Sequence, residues 1–255
     1  MVVRRLSSPR TRLDVAIVAR GLAATRERAR ALVIAGHVLV NGAPVTKAGA
    51  AVKDDDAIAL RQPDHPWVSR GGLKLDHALT AFGLDVTGKL ALDIGASTGG
   101  FTDVLLERGA ARVVALDVGT AQLDWKLRTD PRVTVIEQVN ARHLTPAMLP
   151  DDTRTFDVVT VDVSFISLRH ILPVLPPLLA PDGSIIVLVK PQFEAGRDEV
   201  GAGGIVRDPA VHARVVDEVT SAAHQVGLVR AGVEPSPITG AEGNREFLMR
   251  LVQTR

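Results

Sequence analysis

Hydrophobic and polar positions fall into two regimes. Over residues 11–61 the periods are short and mixed. "RLDVAIVARGL" and "TRERARALVIAG" carry apolar residues at helical spacing. Thr25 is the expected N-cap of the second helix and Gly36 its stop. "HVLVNGAPV" alternates around Asn41-Gly42, a hairpin turn signal, and "VKDDDAIAL" reads as an acidic turn entering a short strand. "RQPDHPW" (Arg61 to Trp67) has two prolines and no periodicity, so it reads as a linker. From about residue 68 helical patterns alternate with wholly apolar strand-length runs. The helices are "LKLDHALTAFG", "FTDVLLERG", the stretch around "AQLDWKLR", "SLRHILPVLPPLL" and "PAVHARVVDEVTSAAHQVG". The strands are "KLALDIG", "RVVALDVG", "RVTVIEQ", "FDVVTVDVS", "SIIVLVKP" and "EFLMRLV".

This alternation predicts an α/β fold with a doubly wound, mainly parallel sheet, preceded by a small α/β unit. The expected organisation is a basic arm at 1–10, a small domain at 11–61, a linker at 62–68 and a large domain at 69–255. No apolar run reaches the roughly 20 residues of a membrane helix, and no apolar leader opens the chain, so no membrane association is expected.

Charge changes this picture. Of 30 basic and 29 acidic residues, the first 60 positions hold a net +5 and the remainder −4. Such asymmetry suggests a basic module attached to a separate body. Arg26, Arg28 and Arg30 lie along one helix end where phosphates can bind; Arg12, Lys47 and Arg70 are the other expected phosphate contacts. The absence of cysteine excludes disulfides, zinc ribbons and thiol nucleophiles, and fits the cytoplasm as the expected location. No metal-ligand spacing is present, so no metal is expected, and no protein partner is evident.

Candidate chemistry sits at strand ends. The first apolar run of the large domain ends in Asp93, followed by Gly95-Ala96-Ser97-Thr98-Gly99-Gly100-Phe101. Neither the dinucleotide fingerprint nor a P-loop is satisfied, since the second Gly and the Lys are missing. A loop of small residues after an acid suits S-adenosylmethionine (SAM), which is cationic and carries no phosphate. Asp93 is expected to orient its amino-acid end, Asp117 its ribose and Asn140 its adenine.

The methylated atom can be narrowed. The slot after the fourth strand reads Asp162-Val163-Ser164-Phe165, without the Pro pair of amino-group methylation, and carbon-5 chemistry on cytosine needs a Cys. What remains is Lys74, Asp162, Lys190 and Glu246: two amines and two carboxylates. A ribose 2′-hydroxyl is a poor nucleophile and needs such groups for positioning and proton removal.

"RLD", "TRERARALVIAGHVLVNG" and the "DD" before the last small strand resemble an S4 RNA-binding module. "WVSRGGLKL", "DIGASTGGFTDVLLERGA", "DVGTAQLDWKLRTDPRV", "NAR", "VDVSFISL", "LVKPQFE" and "GNREFL" resemble the TlyA family, S4-fused ribosomal-RNA methyltransferases with an FtsJ-like catalytic fold. Pro66 departs from the family pattern, and Met1 to Pro9 have no match. The resemblance implies a Lys-Asp-Lys-Glu tetrad at Lys74, Asp162, Lys190 and Glu246. It also implies SAM as cofactor, ribosomal RNA of the small or large subunit as partner, cytidine 2′-O-methylation, and sensitivity to capreomycin-type antibiotics. The family's second label, haemolysin, makes a membrane-active protein one alternative; a catalytically silent ribosome-assembly factor is the other.

Overall fold

A computed structural model describes residues 10–61, 65–150, 155–240 and 242–254. Apart from Arg10, the expected basic arm lies outside them, as do residues 62–64 of the expected linker. Chain contacts divide the protein into two units, Met1–Pro66 and Trp67–Arg255.

The first unit runs β1 (Arg10–Arg12), α1 (Leu13–Ala19), α2 (Arg26–Ile34), β2 (Val38–Val40), β3 (Ala43–Pro44), β4 (Ala51–Lys53) and β5 (Ile58–Leu60). Arg10, assigned from sequence to the arm, pairs with Lys53 across β1 and β4. Thr25 caps α2 by accepting from the Arg28 amide at 3.2 Å. The β2–β3 turn places Asn41 at φ 52° and Gly42 at φ 79°, the left-handed pair that a two-residue hairpin requires. Leu13, Ile17, Val33 and Val38 are fully buried at its core.

The second unit runs α3 (Gly71–Ala81), β6 (Leu90–Ile94), α4 (Gly100–Glu107), β7 (Arg112–Leu116), α5 (Trp125–Arg128), β8 (Val133–Ile136), β9 (Phe156–Val161), β10 (Leu179–Val189), α6 (Pro191–Glu194), α7 (Pro209–Gln225), β11 (Leu228–Pro235) and β12 (Phe247–Gln253). Its seven strands lie in the order β11-β12-β10-β9-β6-β7-β8. Strands β10, β9, β6, β7 and β8 pair in parallel, whereas β12 is antiparallel to both neighbours. Apolar side chains on the two faces form separate cores, one around Leu92, Val159 and Val187, the other around Leu75, Val113 and Ile186. Burial on both faces is why these strands read as continuous apolar runs.

Two expectations are corrected. "SLRHILPVLPPLL" is three short 3₁₀ turns rather than a helix, because Pro173, Pro176 and Pro177 each remove a backbone donor. The helix around "AQLDWKLR" shrinks to four residues, capped by Asp124 on the Lys126 amide. Strand β11 was not anticipated; it pairs with β12, at the sheet edge. No helix among the described residues is long and apolar enough to cross a membrane.

Candidate active site

A parallel sheet gathers the C-terminal ends of its strands along one edge, the usual place for a ligand. Asp93 lies near the end of β6, and Asp117, Asp162 and Lys190 directly follow β7, β9 and β10. Glu246 joins them from the opposite chain direction. Strand β12 is antiparallel, so its first residue lies at the same edge, with Phe247 paired to Val189 beside Lys190.

The small-residue loop is fixed by steric necessity. Gly95 has φ 84°, and a Cβ there would lie 2.3 Å from the Asp162 carbonyl oxygen. Gly99 caps α4 at φ 99°, and a Cβ would meet Leu127 at 2.2 Å. Gly100 faces Ser69 at a comparable 2.2 Å. Backbone therefore passes where no side chain fits. Ala96 and Phe101 are buried, whereas Ser97 and Thr98 are exposed; Ser97 has φ 49° and donates its amide to Asp117 Oδ2 at 2.8 Å.

Asp93 takes a different place from the one expected. It is fully buried, its Oδ2 accepts from Thr102 Oγ1 at 2.7 Å, and its Oδ1 accepts from Thr160 Oγ1 at 2.8 Å. Both oxygens are engaged beneath the loop, so Asp93 ties α4 to β9 instead of facing the cleft. Burial pushes its pKa up to about 6 against the pull of the two hydroxyls. Neither threonine was signalled by the sequence pattern.

The cleft consists of two neighbouring cavities. The larger, about 740 Å³, is lined by Ser97, Asp117, Asn140 and Asp162, and by the apolar Val118 and Val139. Asp117 Oδ1 also accepts from the Gly119 amide at 2.7 Å, so the carboxylate is held at the cavity wall. Asn140 is exposed and caps the following turn through the Arg142 amide at 3.0 Å. The smaller cavity, about 240 Å³, is lined by Arg70, Lys74, Gly95 to Thr98, Gly100, Phe101 and Asp162. Gly95, Ser97 and Asp162 belong to both.

Four charged groups meet here as two pairs. Lys74 Nζ donates to Glu246 Oε2 at 2.5 Å, with both residues buried. Lys190 Nζ lies 2.6 Å from Asp162 Oδ1 and donates to Ser164 Oγ at 2.9 Å. Asp162 Oδ1 is buried and accepts no aligned hydrogen bond, so its contact with Lys190 is an ion pair by distance alone. The site thus holds two cations and two anions.

At the cleft mouth Phe165 is 92% exposed on a left-handed backbone, φ 63°, with its ring centroid 5.2 Å from that of Phe193. Its loop is held by Glu194, which accepts from Ser167 Oγ at 2.6 Å and the Leu168 amide at 2.7 Å. Burial raises the Glu194 pKa. Both residues escaped sequence reasoning; an aromatic so close to Asp162 was the available signal. Asp103 was also missed. It is buried in α4 and accepts from the Val68 amide at 2.8 Å and Lys126 Nζ at 3.0 Å.

In the first unit, Arg12 and Arg26 converge on Asp14, while Arg30 and Lys47 are exposed. Arg28 follows the α2 cap, partly buried. The Arg12 hydrogen bonds, more than Arg26, draw the Asp14 pKa down to about 2.

Comparison with known proteins places this geometry. The S4 domain model matches residues 11–58, and the model of the FtsJ-like methyltransferase matches residues 67–252. The chain is 48% identical over 243 residues to the 16S/23S rRNA (cytidine-2′-O)-methyltransferase TlyA of Mycobacterium tuberculosis, covering 95% of this chain and 90% of that one. A solved structure described as a hemolysin from Streptococcus thermophilus superposes with TM-score 0.75 at 46% identity, covering 97% and 90% of the two chains. A solved structure described as a SAM-dependent methyltransferase from Listeria monocytogenes shares the fold at 19% identity, with TM-score 0.53 over 73% of this chain and 100% of that one. With an S4 domain ahead of a methyltransferase sheet and relatives near half identity along almost its whole length, the chain belongs to the TlyA family of FtsJ-like methyltransferases.

Proposed function

We propose that this protein is a SAM-dependent methyltransferase acting on the 2′-hydroxyl of a cytidine in ribosomal RNA. The observation that carries the reading is the double ion pair, Lys74–Glu246 and Lys190–Asp162, opening beside a loop that excludes side chains. The name of the M. tuberculosis relative supports the substrate.

The residues present fit SAM. The glycine loop lines the smaller cavity, where the amino-acid end would lie, Asp117 offers acceptors for the ribose hydroxyls, and Asn140 stands at the third strand end for the adenine. When bound, SAM supplies a methyl group on a sulfonium. The chain's own groups then act on the RNA. Asp162, which lines both cavities, accepts a hydrogen bond from the 2′-hydroxyl and aims its oxygen. Lys190, whose Nζ lies 2.6 Å from Asp162 Oδ1, takes the hydroxyl proton as a neutral amine, having first released its own ammonium proton to solvent. Lys74 and Glu246 neutralise each other and keep the wall of the smaller cavity rigid. Phe165 offers a ring face to the extruded base, and the S4 unit docks on RNA phosphates through Arg12, Arg26, Arg28, Arg30 and Lys47, with Arg70 at the cleft. On this reading, loss of the enzyme lowers cellular sensitivity to capreomycin-type antibiotics.

The test is transfer of tritiated methyl from SAM to purified small and large ribosomal subunits, followed by alkaline hydrolysis of the RNA. An alkali-resistant dinucleotide containing methylated cytidine is the expected product. Label in an alkali-labile nucleotide means a base is methylated and removes the role given to the ion pairs. No label on either subunit rejects the substrate.

A further inference from the structure

Asp14 is a fully buried carboxylate in a unit whose first role is to meet polyanions. Its burial is tolerated because three guanidinium donors surround it. Arg12 Nε donates to Oδ1 at 3.0 Å and Arg12 Nη2 to Oδ2 at 2.9 Å; Arg26 Nε donates to the same Oδ2 at 3.0 Å. The two arginines come from different elements, one ending β1 and the other opening α2. Sharing one acceptor oxygen, their donor nitrogens lie within about 6 Å of each other. Two free guanidiniums would repel at that distance. The carboxylate makes the juxtaposition stable and leaves the trio with one net positive charge.

Enough of each arginine stays accessible to bind a ligand. Their side chains are 52% and 53% exposed, and the Arg12 Nη1 and both Arg26 Nη groups are unused by Asp14. The Lys47–Ala50 turn lies alongside. The Asp14 amide donates to the Ala48 carbonyl at 3.0 Å, and a Cβ on Gly49 would come within 3.0 Å of Arg12 Nη1.

We propose that Asp14 is a positioning residue that gathers Arg12 and Arg26 into one clamp for a single RNA phosphate. The clamp rests on the reading that the first unit docks on ribosomal RNA, and it specifies how. A planar guanidinium offers paired donors, and two of them held by a common carboxylate present a fixed set to one phosphodiester. Arg30, exposed further along α2, lies outside the clamp.

The test uses the full chain and a fluorescent 23S rRNA transcript, with affinity measured across a range of KCl. Releasing one bound phosphate lowers the salt slope by about 0.7–0.9. Arg12→Gln and Arg26→Gln should each weaken binding about tenfold and lower the slope by roughly one such step. The double variant should lower it by little more than either single change, because both arginines serve one phosphate. Two full steps, with additive losses of affinity, would mean that each arginine holds its own phosphate and would overturn the clamp. Asp14→Asn separates geometry from charge. It removes a negative charge, so electrostatics alone predicts tighter binding, whereas the clamp requires weaker binding. Unchanged or tighter binding by a folded Asp14→Asn chain refutes the proposal. Should that variant melt early, Arg26→Lys decides: it keeps the charge but loses the fork, and must still bind several-fold more weakly. Wild-type chain with no salt-dependent affinity for the transcript would reject RNA docking itself, a different outcome from additive arginine losses.

Discussion

Lys74 Nζ and Glu246 Oε2, 172 positions apart in the chain, meet at 2.5 Å with side chains only 8% and 3% exposed. A buried pair of this kind adds little net stability, but removing one partner strands a charge. Glu246→Ala should cost about 3–5 kcal/mol of unfolding free energy. Pairing it with Lys74→Met should restore much of that loss while leaving methyl transfer impaired. Urea denaturation and tritium transfer on the same preparations check both halves.

Lys190 ends β10 between Asp162 and Ser164. Lys190→Ala should reduce methyl transfer by about 10²–10⁴-fold, the usual contribution of a positioned proton acceptor. SAM affinity by isothermal titration should stay close to wild type, because Lys190 is not in the walls of either cavity. Wild-type turnover in the variant would sink the role given to this amine.

Gly99 stands at φ 99° with Leu127 where a Cβ would go. Gly99→Ala should cost about 1–2 kcal/mol in backbone strain alone and more through the clash. The strain falls on the loop proposed to hold SAM, so cofactor affinity should drop well before the fold is lost. Calorimetric titration beside a thermal melt separates the two effects.

The Asp93 carboxyl, with its pKa raised to about 6, makes stability depend on pH. Between roughly pH 4 and 6 the folded chain keeps a proton that the unfolded chain has released. Stability from this group therefore falls as pH rises through that window. Asp93→Asn should flatten this part of the profile. Melting temperatures of both proteins from pH 4 to 7 give the answer; parallel curves would show that Asp93 does not titrate there.

Phe165 holds its ring in solvent at the cleft mouth. If the ring supports the target base, Phe165→Ala should raise the KM for RNA by about tenfold, within the ~1–3 kcal/mol of one base–aromatic stack. Phe165→Trp should recover most of it, and the KM for SAM should hardly change.

The sequence by itself determined which residues stand at the working edge of the sheet. Asp93, Asp117, Asp162 and Lys190 each end or follow an apolar run, and strand-terminating polar residues in an alternating α/β pattern have only one edge to occupy. It also determined the helices with clean caps, such as α2 behind Thr25, because capping and periodicity are local. Proline-rich 168–178 and edge strand β11 escaped, since a run of apolar residues specifies burial before it specifies helix or strand. Tertiary structure alone decided the partners. Asp93 is turned away from the cleft by Thr160, 67 positions later, and Lys74 finds Glu246 only because β12 runs against its neighbours. Burial, desolvation and the choice of counter-charge are set by contacts between distant segments, and no local pattern encodes which segments will meet.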